Sequence, residues 1–101
     1  MIDKLTHSDF SPHLKTIFSI YYTKEDFLEA QLIQVDIIGT NTKTPDLRQA
    51  FSLLFYVEDG GKGYLQQRMY EFRHPEMGTF ELFLVPLGPD ETGFCYEVVF
   101  T

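Results

Sequence analysis

The chain has 101 residues, enough for one domain built around one hydrophobic core. Its formal net charge is -7 and it has no run of Lys or Arg, so binding to nucleic acids or to anionic membrane surfaces is not expected. Ten Phe and six Tyr, without any Trp, give 16% aromatic residues. Aromatic side chains bury large areas and suit a pleated surface, so the composition favours β-sheet.

The cellular compartment is predicted from three features. The single cysteine, Cys95, cannot form a disulfide within the chain, and its place in the run Phe94-Cys95-Tyr96 predicts a small core residue rather than a nucleophile. Met1 to Leu5 contains no apolar segment typical of a signal peptide. No stretch approaches the ~18 apolar residues of a membrane span. These features predict a cytoplasmic protein.

The first fifteen residues are predicted to form short helical turns. Thr6 and Asp9 have the spacing of a capping box, and Ser11-Pro12 places a cap residue before a proline suited to a first helical turn. Phe10 and Leu14 lie four residues apart and are expected to pack this segment onto a sheet.

A strand is predicted over Ile17 to Tyr22, and the segment after it fits two structures. A polar turn followed by an apolar stripe is typical of a helix over 24–35. The same residues fit a long strand from Phe27 to Ile38. In that strand the apolar positions alternate in one phase as far as Leu32 and in the opposite phase from Ile33, a switch typical of a β-bulge. The pattern alone does not choose between them.

Four further strands are predicted from alternating apolar residues, over Phe51–Val57, Gln66–Arg73, Phe80–Val85 and Phe94–Phe100. The predicted connections are Gly39–Gln49, Glu58–Gly63, His74–Gly78 and Pro86–Gly93. The prediction is an all-β, mainly antiparallel fold, a small barrel or sandwich of about six strands. One domain over 1–101 is expected, with a helical segment at 1–15 and the sheet at 16–101.

Several residues of the second half are predicted to shape turns rather than to carry chemistry. They are Pro75, Gly78, Pro86, Gly88, Asp90 and Gly93. Asp90 is expected to cap its own loop, and His74 to bond nearby backbone in the turn that it precedes. Phe83 and Val85 make the second face of their strand apolar, which predicts a central strand or a barrel wall covered from outside.

Short motifs in a fixed order run through the second half of the chain. They are Phe51-Ser52-Leu53-Leu54-Phe55, Tyr70-Glu71-Phe72-Arg73-His74-Pro75-Glu76-Met77-Gly78, Leu82-Phe83-Leu84-Val85-Pro86-Leu87-Gly88-Pro89-Asp90 and, after Gly93, Tyr96-Glu97-Val98-Val99-Phe100. This series resembles a bacterial family catalogued as domain of unknown function 6916. The similarity is looser before Phe51, and the approach to Tyr70 departs from the small, Gly-containing turn of relatives.

The resemblance carries three implications. Relatives have a hairpin where this chain has Phe27 to Ile38, so the segment is expected to be extended. Genes of relatives lie near those of phage-tail-like collar proteins, which implies an accessory role in such an assembly. The resemblance implies no activity and no cofactor.

The residues give no pattern typical of a catalytic or metal site. The histidines lack metal-ligand spacing, with His7 and His13 six residues apart and His74 in a distant turn. Ser52 and Cys95 have no adjacent base, and the paired carboxylates fall in turns where solvent explains them. We therefore predict no catalytic, metal-binding or cofactor-binding residues.

Binding through the surface is the function that these patterns favour. Arg68, Tyr70 and His74 are predicted to form an interaction surface, since Tyr and Arg are enriched at binding hot spots. An open sheet edge offers a second route. The prediction is a non-catalytic interaction or assembly module that binds another protein or a second copy of itself.

Two alternatives stay open. The first is a barrel whose lumen binds an apolar or amphipathic small molecule. Its lining would include Phe55, Phe72, Leu82 and Phe100. The second alternative is an enzyme whose site is assembled from scattered residues around His74.

Overall fold

A computed structural model describes residues 5–38, 50–58, 65–89 and 93–100 of the chain. The predicted loop at 39–49, most of the predicted turn at 58–63, and Asp90 lie outside the described residues. The expectations for those positions therefore stay predictions.

The N-terminal segment begins with the predicted capping box. Helix α1 spans His7–Phe10, and the backbone N–H of Thr6 donates to Asp9 Oδ2 at 2.7 Å. A 3-10 helix, Ser11–His13, follows with its proline in the first turn. Phe10 is fully buried as predicted, but the prediction for Leu14 is wrong, because its extended backbone turns the chain out of the helix and leaves the side chain exposed.

Six strands follow, and neighbouring strands are antiparallel throughout. They are β1 Ile17–Tyr21, β2 Phe27–Ile37, β3 Phe51–Glu58, β4 Arg68–His74, β5 Gly78–Pro89 and β6 Gly93–Phe100. They close into a barrel in the order β1-β2-β3-β6-β5-β4. The predicted all-β antiparallel class is confirmed, and the fold is a barrel rather than a sandwich. Because closure gives each of the described strands two neighbours, the expected open sheet edge is not found among them.

Strand β2 resolves the segment that fitted both helix and strand. Its register with β3 shifts between Leu32 and Gln34, so Ile33 is the extra residue of a β-bulge. Ala30 and Leu32 are buried before the bulge, and Val35 packs against the core after it. The phase switch in the sequence therefore marks a bulge, as predicted for the strand.

Strand β5 is longer than predicted. Pro86 to Gly93 was expected to be a loop, but β5 continues to Pro89 and β6 begins at Gly93. A register shift between Pro86 and Gly88 makes Leu87 the extra residue of a second bulge. Prolines occur in sheets at bulges, because the ladder is interrupted there, so proline content was a misleading signal for a loop.

The two halves of the barrel have the same arrangement. Strands β1–β3 and β4–β6 are each a meander whose long middle strand carries a bulge. The halves join where β1 pairs with β4 and β3 with β6, forming two interlocked Greek keys. No repeat is visible in the sequence, so the likeness between the halves lies in the topology.

Aromatic rings fill the barrel and close one end of it. Phe51, the first residue of β3, stacks on Phe100, the last of β6, with ring centroids 4.4 Å apart. Phe10 of helix α1 packs over this end, 5.6 Å from the Phe100 ring. Phe55 and Phe72, from opposite sides of the barrel, approach to 5.3 Å. The N-terminal segment thus plugs a barrel whose interior is occupied by its own side chains.

Candidate interaction surface

The predicted surface of Arg68, Tyr70 and His74 is not formed. These residues alternate along β4 with the same parity as buried Phe72, and Tyr70 and His74 are only 5% and 6% exposed. The Tyr70 hydroxyl donates to the Gln66 carbonyl at 2.7 Å. Arg68 alone is exposed, with its guanidinium 5.0 Å from the centre of the Tyr70 ring. The prediction is wrong for Tyr70 and His74, because side chains of this parity face the barrel interior.

His74 is a structural residue of the β4–β5 hairpin. Its Nδ1 accepts hydrogen bonds from the backbone N–H groups of Glu76 and Met77, at 3.1 and 3.3 Å. Bonding to nearby turn backbone was predicted and is confirmed. Since Nδ1 is an acceptor, the proton of the neutral ring lies on Nε2, which is 3.0 Å from Thr16 Oγ1. Burial, together with the nearby His13, lowers the pKa of His74 below its ordinary value of 6.5.

Thr16 and His74 are as close as a nucleophile and its catalytic base, but the hydrogen bond between them has the histidine as donor. The Thr16 hydroxyl donates to the His13 carbonyl at 2.6 Å, so it accepts from His74 Nε2. A catalytic base would have to accept the hydroxyl proton instead. With Nδ1 occupied by the turn backbone, the ring has no nitrogen left for that task.

His13 lies beside His74, although the sequence placed the two far apart. The ring centroids are 4.6 Å apart, and His13 Nδ1 is 3.4 Å from Glu76 Oε1. Within the described ranges no group of three or more His, Cys, Asp or Glu residues is arranged to hold a metal ion. This proximity joins a residue of the 3-10 helix to the last residue of β4, 61 positions later in the chain, and no local pattern reveals it.

Two of the predicted turn residues, Gly78 and Gly93, occupy positions where the backbone favours glycine. Gly78 has φ 93°, a left-handed conformation that closes the hairpin after Pro75. At Gly93, a Cβ atom would collide with the backbone carbonyl oxygen of Val57, so only glycine fits where β6 begins.

The outward residues of β4 and β5 form the candidate surface. Met69 is directly opposite Phe83 in the antiparallel register, and the two are 50% and 45% exposed. Glu71 is directly opposite Glu81 in the next pair on this face. We call these four residues the Met69–Phe83 face. The expectation that something covers Phe83 from outside is not met by the described part of the chain.

The flank of the Met69–Phe83 face is ordered by an aromatic cluster. Arg73 makes an ion pair with Glu71, and its guanidinium lies 4.0 Å from the centre of the Tyr21 ring. The Tyr21 ring is 4.9 Å from that of Phe27 on β2. No Lys or Arg of the described ranges makes an ion pair with Glu81. The face therefore combines two exposed apolar side chains with acidic charge that the domain itself only partly neutralises.

Alternation along β4 could have identified this face from the sequence. If Tyr70 and Phe72 point inward, then Met69, Glu71 and Arg73 must point outward, because side chains alternate with a period of two. The exposure of Phe83 had no such signal, since both faces of its strand are apolar.

Together these features define the class of protein: a small, closed, antiparallel β-barrel with a plugged end and a partly apolar, partly acidic outer face. The model of a family described as "Domain of unknown function (DUF6916)" matches residues 5–100. The chain belongs to this family, which confirms the resemblance noted in its sequence. No curated protein and no solved structure shows significant similarity to the chain. Within the described residues, no helix has the length and apolar character needed to cross a membrane.

Proposed function

We propose that this domain is a non-catalytic protein-interaction module that binds its partner through the Met69–Phe83 face, as an accessory to a larger protein assembly. The observation that carries the proposal is the pairing of two large, half-exposed apolar side chains directly opposite each other on the outer wall. Covering them with a partner removes apolar area from water, which is the main favourable term in protein association.

The organisation around this face favours recognition. Arg73 is held between Glu71 and the Tyr21 ring, so this part of the surface is ordered before a partner arrives. Ordered side chains lose less entropy on binding than free ones. Strands β4 and β5 are also joined by a seven-residue register from Arg68↔Leu84 to His74↔Gly78, which provides a rigid base.

Two observations weigh against the alternative functions. The rings of Phe55 and Phe72, expected to line a ligand-binding lumen, pack against each other across the interior. The polar groups around His74 were expected to form a catalytic site in the enzyme alternative. They instead make hydrogen bonds that hold the β4–β5 hairpin and link it to Thr16, just before β1. A chain with one cysteine cannot form an internal disulfide, which is typical of proteins from a reducing compartment, and we propose that the interaction takes place in the cytoplasm.

The test is a pull-down from native lysate, with mass spectrometry, that compares three forms of the domain. The wild type is expected to capture a partner that the double variant Met69→Ser, Phe83→Ser loses. Ile33→Ser is the matched control, because Ile33 is a 39% exposed apolar residue on β2. A partner retained equally by all three forms contradicts the proposed face, as does the recovery of no partner in repeated experiments.

A further inference from the structure

The Met69–Phe83 face presents two chemically different pairs in sequence along β4 and β5. The Glu71–Glu81 pair lies next to the apolar pair on the same side, two residues after Met69 on β4 and two residues before Phe83 on β5. Positions i and i+2 of a strand are separated by roughly 7 Å. The apolar Met69–Phe83 pair and the acidic Glu71–Glu81 pair therefore lie side by side at a fixed spacing.

The Glu71–Glu81 pair opposes the stability of the free domain. Like charges directly opposite each other in an antiparallel pair are destabilising. Arg73 pairs with Glu71, which leaves the Glu81 carboxylate without a cation among the described residues. A cation supplied by a partner would remove the repulsion, so the arrangement is suited to a basic partner.

We propose that the partner presents a basic and apolar protein segment to this face, an inference that rests on the proposed function. An apolar side chain of the segment covers Met69 and Phe83, and a Lys or Arg approaches Glu81. In an extended segment the two side chains are at positions i and i+2, because that separation matches the spacing of the pairs on the face.

Charge favours this occupant over a second copy of the chain. A symmetric dimer through the same face would bring two copies of the acidic Glu71–Glu81 pair into one interface. The net charge of -7 adds a general repulsion between copies. A cationic segment is attracted both by the Glu71–Glu81 pair and by the net negative charge of the domain. Its association should therefore weaken as salt is added.

The probe is a twelve-residue peptide that repeats Leu-Ser-Lys-Ser, which places Leu and Lys on the same side of an extended chain. A peptide of the same composition that repeats Leu-Lys-Ser-Ser places them on opposite sides. Amide chemical shifts of the intact domain, recorded by NMR during titration, locate the binding. We expect saturable shifts centred on Met69 to Arg73 and Thr79 to Phe83, larger with the first peptide and reduced by salt.

Two variants and one control separate recognition from stability. Glu81→Gln should raise the thermal unfolding midpoint of the free domain, because it removes the like-charge pair, yet weaken peptide binding about two- to fivefold. The double variant Met69→Ser, Phe83→Ser should weaken binding by about 30-fold or more, the effect of losing a hot spot. Ile33→Ser should leave binding unchanged, because Ile33 lies on β2.

The outcomes distinguish this inference from the proposed function. Equal binding of both peptides, or shifts spread over the whole acidic surface, would overturn the inference. Concentration-dependent self-association by light scattering that Met69→Ser, Phe83→Ser abolishes would overturn it in favour of a second copy. If the lysate partner depends on Met69 and Phe83 but is insensitive to salt and to Glu81→Gln, the interaction module stands and the basic partner is rejected.

Discussion

At the scale of single residues, the His74 side chain connects two separate parts of the fold. It joins the β4–β5 hairpin, through its Nδ1, to the segment that precedes β1, through Thr16. The bonds at Nδ1 require the neutral ring, because a protonated Nδ1 cannot accept a hydrogen bond, whereas Nε2 donates to Thr16 in either protonation state. The stability of the fold is therefore linked to the titration of this residue.

This linkage predicts loss of stability in mild acid. The pKa of His74 is lowered, first by burial and second by His13, with Glu76 acting in the opposite direction. The unfolded chain then binds a proton at His74 more readily than the folded chain does. The stability that neutral His74 contributes to the fold is therefore complete above pH 6.5 and is lost as the pH falls toward the folded-state pKa. Urea unfolding midpoints measured between neutral and mildly acidic pH should decline less steeply for His74→Gln than for the wild type. Equal slopes would show that His74 is not responsible.

Lys15 provides a second prediction at this scale. It has φ 70°, in the left-handed region that disfavours residues with a Cβ atom, and it connects the 3-10 helix to β1. Lys15→Gly should stabilise the fold by about 0.5–1 kcal/mol, since the removed strain exceeds the added entropy of the unfolded chain. Lys15→Ala removes the same charge but keeps Cβ, and should give no such gain in chemical denaturation. A destabilised Lys15→Gly would contradict this account.

At the scale of elements, the N-terminal segment is anchored by one fully buried ring. Helix α1 has four residues, too few to be stable alone, and is held to the barrel by Phe10. The Phe10 ring contacts those of Phe51, Phe80 and Phe100 with centroid separations of 6.0, 6.0 and 5.6 Å. The plug is therefore part of the core, although it precedes the first strand.

Phe10→Ala should lower the free energy of unfolding by about 3–5 kcal/mol, because it removes a fully buried ring and leaves a cavity. Leu14→Ala, in the same segment but at an exposed position, should change stability by no more than about 0.5 kcal/mol. Chemical denaturation followed by circular dichroism measures both. Similar effects of the two substitutions would show that Phe10 does not anchor the segment.

Local patterns predicted these elements to different degrees. The capping box and the bulge of β2 were readable because each depends on residues a few positions apart in the sequence. The extension of β5 through Pro86 and Pro89 was not, because ladder pairing with β6 overrides the local preference of proline and glycine for loops.

At the scale of the whole molecule, the two halves of the barrel are joined by two strand pairings of unequal length, which we call the β3–β6 seam and the β1–β4 seam. Strands β3 and β6 pair over eight residues, from Phe51↔Phe100 to Glu58↔Gly93. Strands β1 and β4 pair over three residues, from Ser19↔Arg73 to Tyr21↔Glu71. Local opening requires fewer ladder hydrogen bonds to break at the shorter seam.

Native-state hydrogen exchange should therefore be slowest in β3 and β6 and faster at Ser19 and Tyr21 in the β1–β4 seam. The measurement is amide exchange of the folded domain by NMR, with exchange rates converted to local opening free energies. Uniform opening free energies across the six strands would show that the barrel opens as one unit. Slower exchange at the β1–β4 seam than at the β3–β6 seam would contradict the prediction.

The amino-acid sequence predicted the strand class and most strand positions, because these follow from composition and from alternation between neighbouring residues. It also identified the family, through motifs that are contiguous in the chain. Tertiary structure alone decided that the sheet closes, that Phe10 enters its end, and that His13 meets His74. It also decided that Phe83 is exposed. These features depend on which strands become neighbours across long separations, and such pairing is set by the packing of the whole barrel rather than by any local segment.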